Sequence, residues 1–235
     1  MAAPAIRPRS RWQPPTAGSV DPDHPLSQGL VGWWTHTGTD LMGLLPLVPT
    51  GISHATGMFG RGVGMTAANA SLAAVALPAH KIGPPATVVA VITKTASAVG
   101  GVSMFGTFPN DGATPTLGLA LMTSNSNQIY AATNSGAGLI TGTPSTLANG
   151  PHVVVGTFTP TSIGLWVDGN RISADVVALA PAYPGTSWVS AGPGFADQAG
   201  RTANMTFHAG SIYRRVLSPV EIAMLHADPY CMIRP

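Results

Sequence analysis

"HVVVGTFTPTSIGLWVDGNRISADVV", residues 152–177, contains three runs rich in Val, Ile, Thr and aromatic side chains: 152–159, 162–169 and 171–177. Asp168–Gly169 ends the second run just before the third begins. An Asp-Gly pair accepts the positive φ angles of a two-residue hairpin turn, so this stretch predicts antiparallel strands joined tightly. Working outward, the same character recurs in "GLVGWW" (29–34), "SLAAVAL" (71–77), "TVVAVITK" (87–94), "TLGLALMTS" (116–124), "QIYAATN" (128–134) and "TFHAGSIYRRVL" (206–217). Short runs of this kind, spaced at intervals of about ten residues between Gly, Pro, Asn and Asp clusters, predict an all-β sandwich or barrel. Gly and Pro supply 28 and 22 of the 235 residues, which suits a fold with many turns.

One segment departs from this pattern. In "SIYRRVLSPVEIAMLHADPY" (211–230), Ser218 is a good N-cap, Pro219 suits the first helical position, and Glu221 stands three residues after the cap. That is the signature of a capping box, with Leu217 and Ile222 placed as a hydrophobic staple. Asp228–Pro229 ends the helix, because the residue before proline is driven out of the α region. Glu221, the only glutamate in the chain, is therefore assigned to the helix start.

Residues 1–25 carry Pro4, Pro8, Pro14, Pro15, Pro22 and Pro25. Prolines lack amide donors and fix φ, so this stretch predicts an extended arm outside the fold. A disordered terminus is the alternative; Trp12 gives a docked arm an anchor. The remaining 26–235 show no internal repeat and no break in composition, and are read as one sandwich domain.

Only 9% of the chain is charged, against roughly 25% in a typical soluble domain. So little charge leaves a lone protomer a poorly solvated surface, and self-association, as a trimer, is expected. The net charge is +2 and the basic residues form no dense patch, which argues against nucleic acid as a partner. No apolar run is long and unbroken enough to span a membrane, and no secretory signal is visible, so a soluble protein is expected. Cys231 is the single cysteine, which excludes an internal disulfide and points to assembly in a reducing compartment.

Several stretches together resemble a family. "FHAGSIYRRVLSPVEIAMLHADP" (207–229) resembles the closing strand and helix of LamG, or concanavalin A-like, jelly-roll domains. "PHVVVGTFTPTSIGLWVDGNRI" (151–172) resembles their central strand pair, and "GMFGRGVGMTAANASLAAVALP" (57–78) an early Gly-rich turn leading into two strands. "HPLSQGLVGWW" (24–34) and "ADPY" (227–230) are similar to versions found in tailed-bacteriophage virion proteins. The resemblance implies an antiparallel two-sheet β-sandwich of the concanavalin A-like jelly-roll type that closes with a short C-terminal helix; the N-terminal arm is not part of the shared core. It also implies either of two roles: a virion accessory module of the capsid-decoration or head-fibre type, or a glycan-binding receptor module on a tail or neck fibre.

The chemistry-bearing residues are sparse. Retaining glycoside hydrolysis needs two carboxyl groups about 5 Å apart. Glu221 is committed to the helix cap, and only Asp21 and Asp23 alternate, within the Pro-rich segment. There is no G-x-S-x-G elbow, the seven histidines are dispersed, and "GRGVGM" (60–65) lacks the Lys-Ser/Thr of a phosphate loop and reads as a turn. The chain is accordingly expected not to be an enzyme and to need no cofactor. Asp111 in "PNDGAT" and Asp197 in "GFADQAG" are weak calcium candidates, since calcium takes about six to eight oxygens, and both are read first as turn residues. Tyr183 and Trp188 in the Pro/Gly-rich "PAYPGTSW" are the candidates for a glycan platform, weighed against loop packing; Trp33, Trp34 and Trp166 lie in predicted strands and are assigned to the core.

The expectation is a virion protein, assembled in the host cytoplasm. It attaches to the major capsid protein or another virion protein, through Arg7, Arg9, Arg11 and Trp12 of the arm and through its own copies. Host-surface glycans are the partners on the alternative reading.

Overall fold

The computed structural model describes residues 18–42, 46–68, 70–73, 82–110, 118–124, 126–134, 139–176, 186–192 and 201–234. Its strands, in chain order, begin with β1 (Ser19–Val20), β2 (Leu30–Thr35), β3 (Val48–Thr50), β4 (Ser53–Gly57), β5 (Gly60–Met65) and β6 (Ser71–Ala73). The middle of the chain forms β7 (Ala86–Lys94), β8 (Val102–Asn110), β9 (Leu119–Thr123), β10 (Gln128–Asn134), β11 (Leu139–Thr141) and β12 (Ser145–Thr146). Then come β13 (Gly150–Thr159), β14 (Ser162–Val167), β15 (Asn170–Val176), β16 (Thr186–Ala191), β17 (Met205–Tyr213), the helix α1 (Pro219–Ala227) and β18 (Ile233–Arg234).

Apart from β1 and β18, which pair with each other, the strands form two antiparallel sheets. The first has the order β11-β10-β9-β8-β16-β6-β3, with β12 also on β10. The second has the order β15-β14-β13-β7-β17-β5-β4, with β2 also on β17. Strand alternation sends Val88, Ala90 and Ile92 of β7 inward to meet Phe105, Leu119 and Leu121 of the first sheet in the main core. The fold is the expected antiparallel two-sheet sandwich with one short helix.

The second sheet is buried on its outer face as well. Val89 and Val91, Val153 and Val155, Ala209 and Tyr213 point outward into a second core, closed by Leu217, Ile222 and Leu225 around α1 and by Leu26 and Met232. Burial on both faces explains why "TVVAVITK" and "HVVVGTFT" lack polar alternation. It also divides the adjacent tryptophans: Trp34 lies in the main core and Trp33 in the second. Trp166 is only half-buried, with the Arg171 guanidinium 5.7 Å from its ring centre.

The Asp168–Gly169 turn forms with φ of 50° and 80°, the left-handed geometry that the pair favours. By contrast, "GRGVGM" is a strand, β5, and the reading of it as a turn is corrected. Its glycines serve close packing. A Cβ on Gly62 would fall 2.3 Å from the Thr206 methyl, and one on Gly64 2.5 Å from Ser53 Oγ. Trp188, expected in a loop, belongs to β16 and pairs with Phe108.

Before the helix, Ser218 Oγ accepts the Glu221 amide at 3.3 Å and the Glu221 carboxylate accepts the Ser218 amide at 2.8 Å. Glu221 also receives two bonds from the Arg215 guanidinium, at 2.9 and 2.6 Å, and Arg215 in turn donates to the Gln28 and Pro25 carbonyls. The carboxylate thus joins the helix start to the segment entering β2. Those Arg215 bonds, with the serine bonds, hold the Glu221 pKa at about 2. Glu221→Ala is expected to cost about 1–3 kcal/mol, the sum of a lost cap and a partly screened charged pair. Urea unfolding at neutral pH measures it, and a loss indistinguishable from zero would mean that water already replaces these bonds.

The arm expected over 1–25 is described only from residue 18. From there Ser19 and Val20 pair with Arg234 and Ile233, Asp21 makes an ion pair with Arg234, and Leu26 is buried. Arg7, Arg9, Arg11 and Trp12 lie outside the described residues.

Candidate functional site

Four connections meet at one end of the sandwich: 95–101 after β7, 124 and 126–127 after β9, 147–149 before β13, and 201–204 before β17. The register brings them together, since Lys94 stands opposite both Gly150 and Met205 while Thr123 stands opposite Val102 and Ile129. Lys94 continues the inward row of Val88, Ala90 and Ile92, so its side chain enters the end of the main core and is 4% exposed. Its ammonium donates to Asn127 Oδ1 at 2.6 Å and Asn149 Oδ1 at 2.9 Å. Ser97 Oγ donates to the same Asn127 oxygen at 2.8 Å. Burial lowers the Lys94 pKa, because the amide oxygens carry no full negative charge to compensate lost hydration.

Beside this cluster, Arg201 Nη1 donates to the Gly101 carbonyl at 2.5 Å. A Cβ on Gly101 would lie 3.6 Å from the Tyr130 hydroxyl and 3.9 Å from Arg201 Nη1, so this glycine forms the floor of a notch between phenol and guanidinium. Burial raises the Tyr130 pKa and the nearby Arg201 charge opposes that rise. Tyr130 stands opposite Met122, which stands opposite Ser103, giving a row across the outer face of the first sheet. The neighbouring row is made of small residues: Ala132, Ala120, Gly106 and Ser190. Ser103 and Ser190 are fully buried, and their hydroxyls have no hydrogen-bond partner among the described residues.

The described carboxylates are engaged elsewhere. Asp21 and Asp23 face Arg234, Asp40 accepts the Trp33 and Met42 amides, and Asp175 holds Thr143. Asp168 binds His152 Nδ1 at 2.8 Å, Glu221 binds Arg215, and Asp228 accepts the Tyr230 amide. Neither Lys94 nor Arg201 makes an ion pair among the described residues. The notch thus sets the Tyr130 hydroxyl and the Arg201 guanidinium about the Gly101 backbone, with the Lys94 amide cluster at the same end of the sandwich.

The residues singled out by sequence are not gathered here. Tyr183, Asp111 and Asp197 lie outside the described residues, and of Trp188 only the strand position is described. Among the described residues no group of three or more His, Cys, Asp or Glu side chains could hold a metal ion. Burial pushes the Cys231 thiol up to about 11, which keeps it protonated and unreactive at neutral pH. The signal that could have pointed to the notch was Lys94, a lone lysine on the inward parity of an apolar strand.

No protein-family model matches the chain, and no curated protein sequence does. Solved structures do match. Trypanosoma rangeli sialidase in complex with sialic acid superposes with a TM-score of 0.68 at 16% identity, over 91% of this chain and 36% of the sialidase. The ligand binding domain of botulinum neurotoxin serotype D, in complex with N-acetylneuraminic acid, gives 0.63 at 10% identity, over 85% of this chain and 50% of that domain. The binding domain of Paraclostridial mosquitocidal protein 1 gives 0.62 at 11% identity, over 86% and 53%. This chain thus spans about a third of the sialidase's length and about half of each toxin domain's. The likeness is one of fold, an antiparallel two-sheet β-sandwich. The expectation of a chain that is not an enzyme is corrected by the same finding, because the matched structures include sialidases, which are enzymes. The missing carboxylate pair spoke to one mechanism and did not separate this fold from proteins that act on sugars.

Proposed function

We propose that the chain is a carbohydrate-binding module that takes its ligand at the loop end of the sandwich, around Tyr130, Gly101 and Arg201. The observation that carries this reading is the notch itself: the Tyr130 hydroxyl and the Arg201 guanidinium both lie within 4 Å of the place a side chain on Gly101 would fill. Sugar sites combine a ring surface with a few fixed polar groups in this way. The likeness to a toxin ligand binding domain that holds N-acetylneuraminic acid supports it. A glycan array probed with the whole chain is expected to retain a defined set of sugars. Tyr130→Phe, which keeps the ring and removes the hydroxyl, is expected to weaken that retention about three- to tenfold. An array on which nothing is retained, or full retention by Tyr130→Phe, counts against the proposal.

The setting we propose for the module is a phage virion. The similarity of 24–34 and 227–230 to tailed-bacteriophage virion segments supports it, as does a charged fraction of 9%, which suits a surface covered by its own copies in a trimer and by the major capsid protein or another virion protein. A chain starting at Gly18 retains β1 and Leu26. It is expected to melt within about 3 °C of the full chain, a shift worth roughly 1 kcal/mol, and to fail to attach to particles. Attachment at full occupancy without residues 1–17 would show that Arg7, Arg9, Arg11 and Trp12 are not the anchor.

A further inference from the structure

We infer that the sugar taken at the notch is acidic, carrying a carboxylate, and that Arg201 is the residue that recognises it. This rests on the carbohydrate-binding reading and narrows the ligand class.

The two half-buried arginines among the described residues make the case by contrast. Arg215 uses Nε, Nη1 and Nη2 on the Gln28 carbonyl, the Glu221 carboxylate and the Pro25 carbonyl, and its charge is neutralised. Among the described residues Arg201 uses Nη1 alone, on the Gly101 carbonyl, and has no carboxylate beside it. Among the described residues its Nε and Nη2 make no hydrogen bond and one donor edge of the fork has no partner. A guanidinium withdrawn from water without a counter-charge is costly, and a planar carboxylate is the group that its fork fits.

Three further features point the same way. Lys94 adds a second cation at this end of the sandwich, compensated among the described residues by neutral amides. The Tyr130 hydroxyl stands across Gly101, where it can donate to a second acceptor on the ligand. Gly100, at φ +79°, lets the connection pass against Arg201: a Cβ there would lie 3.0 Å from Arg201 Cδ and push the side chain aside. The arrangement selects for negative charge by attraction. It also repels cationic ligands.

The test is calorimetric titration of the whole chain with two acidic probes, a sialylated lactose and a disaccharide ending in glucuronic acid, against lactose and cellobiose. The expected result is that an acidic probe binds about tenfold or more tightly than its neutral counterpart, the difference one carboxylate–guanidinium contact makes. Arg201→Gln is expected to bring the two to within about twofold, and Arg201→Lys, which keeps the charge and loses the fork, to fall between. Raising the salt concentration on the unaltered chain is expected to reduce the preference, a readout that needs no variant to fold. Equal binding of acidic and neutral probes, or a preference that survives in Arg201→Gln, overturns the inference while leaving the carbohydrate reading in place. Failure of every probe, together with an empty array, overturns both.

Discussion

Phe105→Ala is expected to lower the unfolding free energy by about 3–5 kcal/mol, the range for removing a large buried aromatic side chain. The ring is fully buried, stacked on Phe207 with centroids 5.6 Å apart, and 5.8 Å from the Trp34 ring. It comes from the first sheet and rests on the backbone of the second at Gly210, where a Cβ would lie 2.7 Å from ring atoms. Phe105 thus joins the two layers at a point where the facing strand has no side chain to expand into the space left behind. A domain is stable by only about 5–15 kcal/mol, so this one change removes a large share. Gly210→Val alone is expected to cost about 1–3 kcal/mol through overpacking. Combined with Phe105→Ala, the valine enters the vacated volume and the total is expected to be less than the sum. A urea-unfolding cycle on the four proteins measures the coupling, and strict additivity would show that ring and glycine do not share this space.

Acidification is expected to destabilise the fold by about 3 kcal/mol between pH 6.5 and pH 4, with His208 the main contributor and His36, whose pKa burial also lowers, acting in the same direction. His208 is fully buried at the bulge in β17; one ring nitrogen meets Thr93 Oγ1 at 2.9 Å and the other the Arg61 carbonyl at 3.1 Å. The Phe59 ring closes on it edge-on at 5.5 Å. Burial lowers its pKa from 6.5 to about 4; the Arg61 carbonyl opposes the shift and the His36 charge adds to it. Below pH 6.5 the unfolded chain takes up a proton that the folded chain refuses until about pH 4, so stability falls through that window and is complete above it. Glu221 acts in a lower window: its folded pKa of about 2 makes its contribution complete above 4.5 and lost as pH falls towards 2. Unfolding free energies measured at pH 7 and 4.5 separate the two. In His208→Gln the loss over that interval should largely vanish; an unchanged loss would assign it to other groups.

How far the sequence could be read depended on the range of the interactions involved. The helix start was legible because Ser218, Pro219 and Glu221 act on one another within four residues. The β14–β15 turn was legible because Asp168 and Gly169 carry their own φ preference. The role of Arg215 in that cap was not, since its carbonyl partners Gln28 and Pro25 lie 187 and 190 residues away. The glycines of β5 looked like turn residues because nothing near them in the chain reveals Thr206 and His208 packed across the strand. Trp33 and Trp34 were both assigned to the core, but the alternation that sends them into different cores has meaning only once the second sheet is covered on both faces.

By itself, then, the sequence determined what local chemistry and period-two patterning determine: short antiparallel strands, their tight turns, and one capped helix. The tertiary structure alone decided the second core, the strand identity of 60–65 and 186–191, and the site. Lys94 ends β7 while Asn127, Asn149 and Arg201 come from three separate connections, and only the register of β7 against β13 and β17, and of β9 against β8 and β10, brings them to one end of the sandwich. Spacing along the chain carries no trace of that meeting, because the hydrogen bonds that create it join residues 33, 55 and 100 positions apart.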